Sequence, residues 1–562
     1  MLFDRRRIIW GLSVILLALS AVAPFVLKID GYDHVANLLW IDSVAKLLHA
    51  GVLIPRWLPE SFGGLGAPSF YFYPPLPFYL TTILSTITGL RSSDSLYHLL
   101  GALATVGSFL TFQLFLSTFD IPRKARWLPA LIFAIAPYRF FDLYVRNGFG
   151  EHIGLIFVPL LFYFMRRLFR RDWSVRDAML FGLCWALIVL SNVPLAIIAA
   201  FGALALVAAA WVENRKPANI FVLVGSGLFG CALVAYYLLP IVFLKPFAQI
   251  DNVLQLSGKP ADPAFALVYL FTGANFTLTA VCLVDLVIAI AVIVQYRKDR
   301  LTAATTEQGH WRAIVYRAFV LIATCFVVLN IPYLTLPLWR HFLPLQLVQF
   351  TFRLDVLILF FGCAMLALPQ AESKPSVIKG AVILWCIAGI GLVAMNVFGL
   401  RPRGAKAEYT HYDPAEYAPI YTYTDVQQVI HFADQHEHDQ YAVPLLSLSA
   451  DETVKGTPSS AGGGVIDCSL DSTRTVVVHS FYWPYWQCVA EGKPIRCYPA
   501  SDGRLLVDLP RGKYRAFITL KKSEAEFVGS SISIAALCLG VILFFGSILP
   551  RKKQETPSVT GS

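Results

Sequence analysis

Residues Gly31–Tyr79 read GYDHVANLLWIDSVAKLLHAGVLIPRWLPESFGGLGAPSFYFYPPLPFY and follow directly on the first apolar segment, Ile8–Leu27. The stretch opens with Asp33 and His34. An amphipathic run to Gly51 comes next, with Val35, Leu38, Leu39, Val44, Leu47 and Leu48 as its apolar positions. Arg56-Trp57, a Gly-rich turn and an aromatic–proline cluster complete it. What such a segment can be depends on the apolar runs that flank it.

Those runs define the class. The chain has 562 residues, of which 57% are hydrophobic and only 15% charged, and its mean hydropathy is +0.61. A soluble protein of this length carries more charge. The net charge of +10 does not indicate nucleic acid, because the basic residues sit in short clusters beside apolar runs, the orientation signal of a membrane protein. Twelve runs are candidate spans: Ile8–Leu27, Tyr97–Leu116, Trp127–Leu143, Glu151–Leu168, Ala178–Leu190, Leu195–Trp211, Ile220–Leu244, Leu278–Val294, Ile314–Ile331, Leu354–Leu368, Val377–Phe398 and Ile532–Leu549. The expected fold class is therefore a polytopic α-helical membrane protein of about twelve helices. Ala21-Val22-Ala23 resembles a signal-cleavage site, but Pro24 disfavours cleavage, so the first helix is read as uncleaved with its N-terminus in the cytoplasm.

Pro75–Leu90 is a further apolar run. If it lies in the outer interface rather than crossing, Arg123-Lys124-Arg126, Arg166-Arg167-Arg170-Arg171, Arg297-Lys298-Arg300 and Arg551-Lys552-Lys553 all fall inside. Ala178–Leu190 and Leu195–Trp211, joined by Ser191-Asn192-Val193-Pro194, read as a short broken hairpin. This parity puts outside a first loop at about 28–96, Tyr144–Gly150, Lys245–Thr277, Pro332–Arg353 and a separate domain at 401–526. It makes 1–400 the membrane domain, 527–549 the last helix and 550–562 a cytoplasmic polar tail. In a bacterium this is a multi-pass protein of the cytoplasmic (inner) membrane. Asp285 is almost the only acid near mid-membrane, fewer than a proton-driven pump shows, and its plain reading is a helix–helix hydrogen bond.

The outer domain carries strand signals at Thr475–His479, Leu505–Leu509 and Tyr514–Thr519, separated by Glu491-Gly492, Asp502-Gly503 and Arg511-Gly512. A β-sandwich is expected over 467–521, with a helix near Asp425–Gln435 before it. Of ten cysteines, Cys468, Cys488 and Cys497 fall here. Cys488–Cys497 across the Glu491-Gly492 turn is the first pairing to consider.

The chemistry-bearing residues collect on the outer face. Asp33 and Asn37 are one helical turn apart and share a face. The plain reading of Asp33 is a helix cap. Arg146-Asn147-Gly148-Phe149-Gly150-Glu151-His152 makes a second polar cluster, and Arg353 stands at the outer end of another span. The plain readings there are a helix-N-terminal acid for Glu151 and an Arg353–Asp355 pair. Acids, histidines and arginines at one level of an apolar protein are costly to bury for packing alone.

With these residues in view, the chain resembles the GT-C superfamily of membrane glycosyltransferases, and within it the bacterial YfhO-like branch, labelled 6-pyruvoyl-tetrahydropterin synthase related. The resemblance rests on Asp33, Gly51 with Pro55-Arg56-Trp57, and Gly63–Pro68 running into Tyr71–Leu76. It extends to Arg146 with Glu151, Gln349-Phe350 with Arg353, and the outer-domain runs Tyr482-Trp483-Pro484-Tyr485-Trp486 and Leu509-Pro510-Arg511-Gly512. It implies a polyprenyl-phosphate sugar donor loaded from the bilayer and an acceptor that is a surface glycan, a glycolipid or a protein. It implies Asp33 as general base with inversion, Glu151 as a second catalytic residue, and Arg353, then Arg146 and Arg56, on the donor phosphate. His34, Asn37, Trp57, Tyr71, Tyr73, Asn147 and His152 would line the substrate groove. The chain departs from the pattern at Asn37, where a second histidine is expected, and at Ser191-Asn192 before Pro194. No metal site is assigned in the first loop, since the adjacent side chains of Asp33 and His34 diverge and make poor co-ligands. A divalent metal stays open as a cofactor. A lipid-sugar flippase or a scaffold presenting the outer domain remain the alternatives.

Overall fold

The computed structural model describes residues 33–61, 64–170, 172–214, 220–248, 289–290, 292, 307–368, 454–459, 463–500 and 503–548. The expected spans Ile8–Leu27 and Val377–Phe398, nearly all of Leu278–Val294, Asp285, the helix near Asp425–Gln435 and the 550–562 tail lie outside the described residues.

The first loop builds α1 (His34–His49), α2 (Ser69–Phe72) and α3 (Leu76–Thr88). On α1, Ile41, Val44 and Leu47 are buried at helical spacing. Prolines start α3, and Gly89 ends it in the left-handed conformation at φ 75°. Thirteen residues rise only about 20 Å, short of the ~30 Å of hydrocarbon, so α3 does not cross unaided. Ser92 then caps α4 (Ser93–Ser117) by accepting from the Ser95 N–H.

The helices that follow are α5 (Arg123–Ala134), α6 (Pro137–Phe140), α7 (Phe149–Gly154), α8 (Phe157–Leu168), α9 (Val175–Ser191), α10 (Val193–Val212), α11 (Ile220–Leu233) and α12 (Ala235–Leu244). Later come α13 (Glu307–Leu329), α14 (Pro332–His341), α15 (Leu343–Val348), α16 (Asp355–Ala367) and α17 (Glu524–Ile548). Among the described residues six stretches are long and apolar enough to cross a membrane: Ser93–Ser117, Arg123–Arg146, Phe149–Leu168, Val193–Val212, Gly309–Leu329 and Glu524–Gly546. The chain is a multi-pass membrane protein on that ground. Its exposed apolar side chains agree: Phe221, Leu228, Ile542 and Phe545 are 83%, 65%, 68% and 62% exposed, a surface suited to lipid rather than to water.

Two of the expected segments gain detail. Ile220–Leu244 is the pair α11 and α12, bent by 75°; Pro240 lies inside α12. The hairpin through Asn192 is fuller than expected, with helices of 17 and 20 residues. Asn192 alone separates them, leaving the helical conformation at φ −162° and ψ 114° while its side chain caps α10 at Leu195.

The β-domain has two sheets. Strands β1 (Val454–Pro458), β2 (Gly464–Leu470), β8 (Gly512–Leu520), β4 (Trp486–Ala490) and β5 (Lys493–Ile495) form one, in the order β1-β2-β8-β4-β5. Strands β3 (Arg474–Phe481), β7 (Arg504–Leu509) and β6 (Cys497–Pro499) form the other. The strands thus begin at Val454, before the expected Asp467. β1 and β2 pair antiparallel, with Pro458 opposite Gly464, and Gly463 enters β2 at φ 70°. Cys488 and Cys497 are both free thiols. They touch, and their mutual hydrogen bond pushes the Cys488 thiol up and pulls that of Cys497 down.

The domain is not a loose appendage. Trp57, Leu65 and Tyr71 of the first loop join its core with Trp483 and Trp486. Trp57 meets Trp486 edge-on at 5.3 Å, and the Phe481 N–H donates to the Leu65 carbonyl at 2.7 Å. Gly66 is required at this seam: its φ is +80°, and a Cβ there would lie 2.4 Å from Trp57 Nε1.

Candidate active site

The site is built where α6 runs into a single π-helical segment, Phe141–Arg146. Asp142 and Arg146, four apart, meet there at 2.8 Å. Asn147 then turns left-handed at φ 57°. Gly148 follows, packed so tightly that a Cβ would fall 2.2 Å from Asp142 Oδ1 and 2.8 Å from Arg146 Nη2. That reversal starts α7 and brings Glu151 back onto the same arginine, Arg146 Nη1 to Glu151 Oε2 at 2.9 Å.

Two more side chains close on Glu151. The Tyr138 hydroxyl donates to Oε1, and Arg353 Nε lies 3.6 Å from Oε2. Arg353 is held from behind, donating to the Val348 carbonyl and to Gln349 Oε1 at 3.0 and 2.9 Å. Gln349 itself has φ 69°, which turns the chain between α15 and Arg353. Asp142 and Glu151 are fully buried, Arg353 nearly so. Burying four charges is offset only where each has a partner of opposite sign, and here the acids and arginines alternate.

Asp33 stands at the edge of this cluster. Its backbone N–H donates to the Arg146 carbonyl at 3.2 Å. Asn37 fixes the same junction: its amide donates to the carbonyls of Asp33 and Asn147 at 2.8 and 2.9 Å. Asn147 continues the chain of contacts to the Tyr97 hydroxyl at 3.0 Å. Asp33 occupies the N-cap position of α1, yet its side chain makes no capping hydrogen bond. The plain reading of Asp33 as a cap therefore fails on geometry.

The sequence-selected residues fall into three groups. Asp33, Asn37, Arg146, Asn147, Glu151 and Arg353 come together. Arg56, Trp57 and Tyr71 are used elsewhere. Arg56 pairs with Glu526 of α17 at 3.1 Å and donates to the Tyr236 carbonyl at 2.7 Å. Tyr71 reaches Glu526 at 3.4 Å, and burial pushes its hydroxyl well above the ordinary value, so it remains a donor. A cavity of about 200 Å³ with Lys521 and Lys522 in its wall adjoins them. The third group packs. Tyr73 lies against Trp40 at 4.4 Å, and His152 bonds Thr105 and the Gly101 carbonyl at 3.2 Å each. His34 turns to Asp94.

Sequence reasoning missed Tyr138 and Asp142, hidden inside an apolar run, although the four-residue spacing of Asp142 and Arg146 was a usable signal. It also missed Glu526, whose partner is far off in sequence, and Asp94 with His98.

No protein-family profile matches the chain. An uncharacterised protein of Lactococcus lactis subsp. cremoris (strain MG1363) is 30% identical over 144 residues, 25% of this chain and 23% of that protein. Among solved structures, the mycobacterial arabinofuranosyltransferase AftD is 17% identical, with a TM-score of 0.42 over 69% of this chain and 27% of its own. The Archaeoglobus fulgidus oligosaccharyltransferase is 15% identical, with a TM-score of 0.38 over 78% and 62%. ArnT of Cupriavidus metallidurans is 12% identical, with a TM-score of 0.26 over 63% and 77%. The chain spans about a quarter of the length of the first of these proteins in each comparison.

Proposed function

We propose that the chain is a membrane glycosyltransferase of the GT-C kind, in its YfhO-like branch. It moves a monosaccharide from a polyprenyl-phosphate donor to an acceptor hydroxyl outside the cytoplasm. The observation that carries this reading is Asp33: a carboxylate at the head of a helix, not spent on capping it, with its main chain fixed to a buried cluster holding two arginines.

In this mechanism Asp33 takes the proton of the acceptor hydroxyl as that oxygen attacks the anomeric carbon. The bond from that carbon to the phosphate oxygen breaks, its electron pair leaves with the polyprenyl phosphate, and configuration inverts. The leaving phosphate needs positive charge, and Arg353 and Arg146 supply it, a guanidinium being able to grip phosphate through two hydrogen bonds. Glu151 is bonded to both arginines and to Tyr138, which suits it to positioning them rather than to taking a proton. The acceptor is a surface glycan, a glycolipid or a protein.

The test is Asp33→Asn in purified full-length protein with a polyprenyl-phosphate sugar donor. Transfer should fall by roughly 10²-fold or more, the scale of a lost general base. The melting temperature should hold, because Asn keeps the size of the side chain and sits at a helix start about as well as Asp. Transfer at the wild-type rate would sink the assignment.

A further inference from the structure

Three metal-binding side chains meet beside the first turn of α1, in contacts the sugar-transfer mechanism does not use. His34 is the first residue of α1; Asp94 and His98 lie one turn apart at the start of α4. His34 Nε2 is 3.2 Å from Asp94 Oδ1, and His98 Nε2 is 3.2 Å from the same oxygen. One donor atom from each lies within 4.8 Å of the others. The imidazoles are buried, at 1% and 5% exposure, and stack with centroids 5.8 Å apart. The Asp94 side chain is 44% exposed.

We propose that His34, Asp94 and His98 bind a divalent cation of the zinc type, with a fourth position open to water on the Asp94 side. The donor set is right for it: two imidazoles and one carboxylate suit a borderline cation better than magnesium or calcium, which prefer all-oxygen shells. The spacing is right as well. Ligand atoms about 2.0–2.1 Å from a tetrahedral ion stand about 3.3 Å from one another, and two of the three pairs here already do. Asp94 and His98, at i and i+4, present both ligands to one side of α4. The ring of Tyr97 stands edge-on to both imidazoles, at 5.0 and 5.4 Å, and limits their rotation.

The ion would bind α1 to α4 immediately after Asp33. It is a positioning site: the ligand residue follows Asp33 in the chain, and adjacent helical side chains point apart. A plain His–Asp–His hydrogen-bonded bridge is the competing account.

The experiment uses the full-length protein in detergent, stripped with a chelator and dialysed against zinc, cobalt or magnesium at micromolar concentration. Metal content is counted by mass spectrometry. The expected result is about one zinc per chain, or about one cobalt when the stripped protein is loaded with cobalt instead, with the intense visible absorption of a four-coordinate site, and no comparable retention of magnesium. Zinc should raise the melting temperature of the wild type. Asp94→Asn should weaken zinc binding at least tenfold and remove the thermal shift, and His98→Ala should abolish both. Should His98→Ala fail to fold, Asp94→Asn decides, since its side chain is partly exposed and nearly isosteric. The proposal is overturned if wild-type protein retains no stoichiometric zinc, or if Asp94→Asn binds it as wild type does. Metal content is read without sugar transfer, so either proposal can fail alone.

Discussion

Two arginines, Arg56 and Arg146, are both buried against carboxylates, and the molecule uses them differently. Arg56 meets one acid, Glu526, across a contact between the first loop and α17, with the Tyr71 ring 5.3 Å below its guanidinium. One positive charge faces one negative charge there, and the Tyr71 ring and the Tyr236 carbonyl also contact the guanidinium. Arg146 instead shares Glu151 with Arg353 and also holds Asp142, so two cations and two anions from three segments of the chain meet beside Asp33. The first arrangement joins two segments of chain. The second concentrates charge that a phosphate can exchange with. On the proposed mechanism the first pair is a fastening and the second cluster is where the donor phosphate binds.

This contrast can be broken experimentally. The largest effect should follow Glu151→Gln, which leaves Arg146 and Arg353 without their shared counter-charge. Stability should fall by about 3–5 kcal/mol, as for one partner of a buried pair, and transfer per folded molecule should fall with it. If the rate per folded molecule is unchanged while the melting temperature drops, the Glu151 cluster is a fastening like the other one.

Arg56→Ala should cost a similar about 3–5 kcal/mol, leaving transfer by the folded fraction near wild type. The double replacement Arg56→Met with Glu526→Leu should recover most of that loss, since matched apolar side chains often substitute for a buried pair. A large rate loss in the stable double variant would move Arg56 into the reaction. The smallest change is Gly148→Ala. Its Cβ would meet Asp142 and Arg146, so it should displace their ion pair and lower transfer severalfold, at a cost of about 1–3 kcal/mol. Unaltered kinetics would mean that the pair need not be held so closely.

Much of the fold was legible because hydropathy over a span-length window is robust to local detail. Ser93–Ser117, Phe149–Leu168 and Val193–Val212 enclose expected runs, and β3, β7 and β8 enclose the expected strands. Asp33, Arg146, Glu151 and Arg353 were legible as polar residues at the ends of apolar runs. Asp142 and Tyr138 were not, because the averaging that finds a span absorbs the polar residues within it. The Arg56–Glu526 pair and the convergence of His34 on Asp94 and His98 were beyond reach for another reason. They join residues distant in sequence, and periodicity reports only on neighbours along one element. The β1–β2 pair lay before the expected sandwich, because Val454–Pro458 carries none of the alternation that marks a strand.

The seam between the β-domain and the first loop has a mechanical consequence. Leu65 is bonded to Phe481 through the main chain, Trp57 packs on Trp486, and Tyr71 packs on Trp483 at 5.5 Å. A tilt of the domain cannot leave that loop behind. Any ligand or binder that seizes the outer strands therefore pulls on Arg56 and, through it, on the head of α17, so force applied far from the bilayer reaches a helix that most of its length shares with lipid.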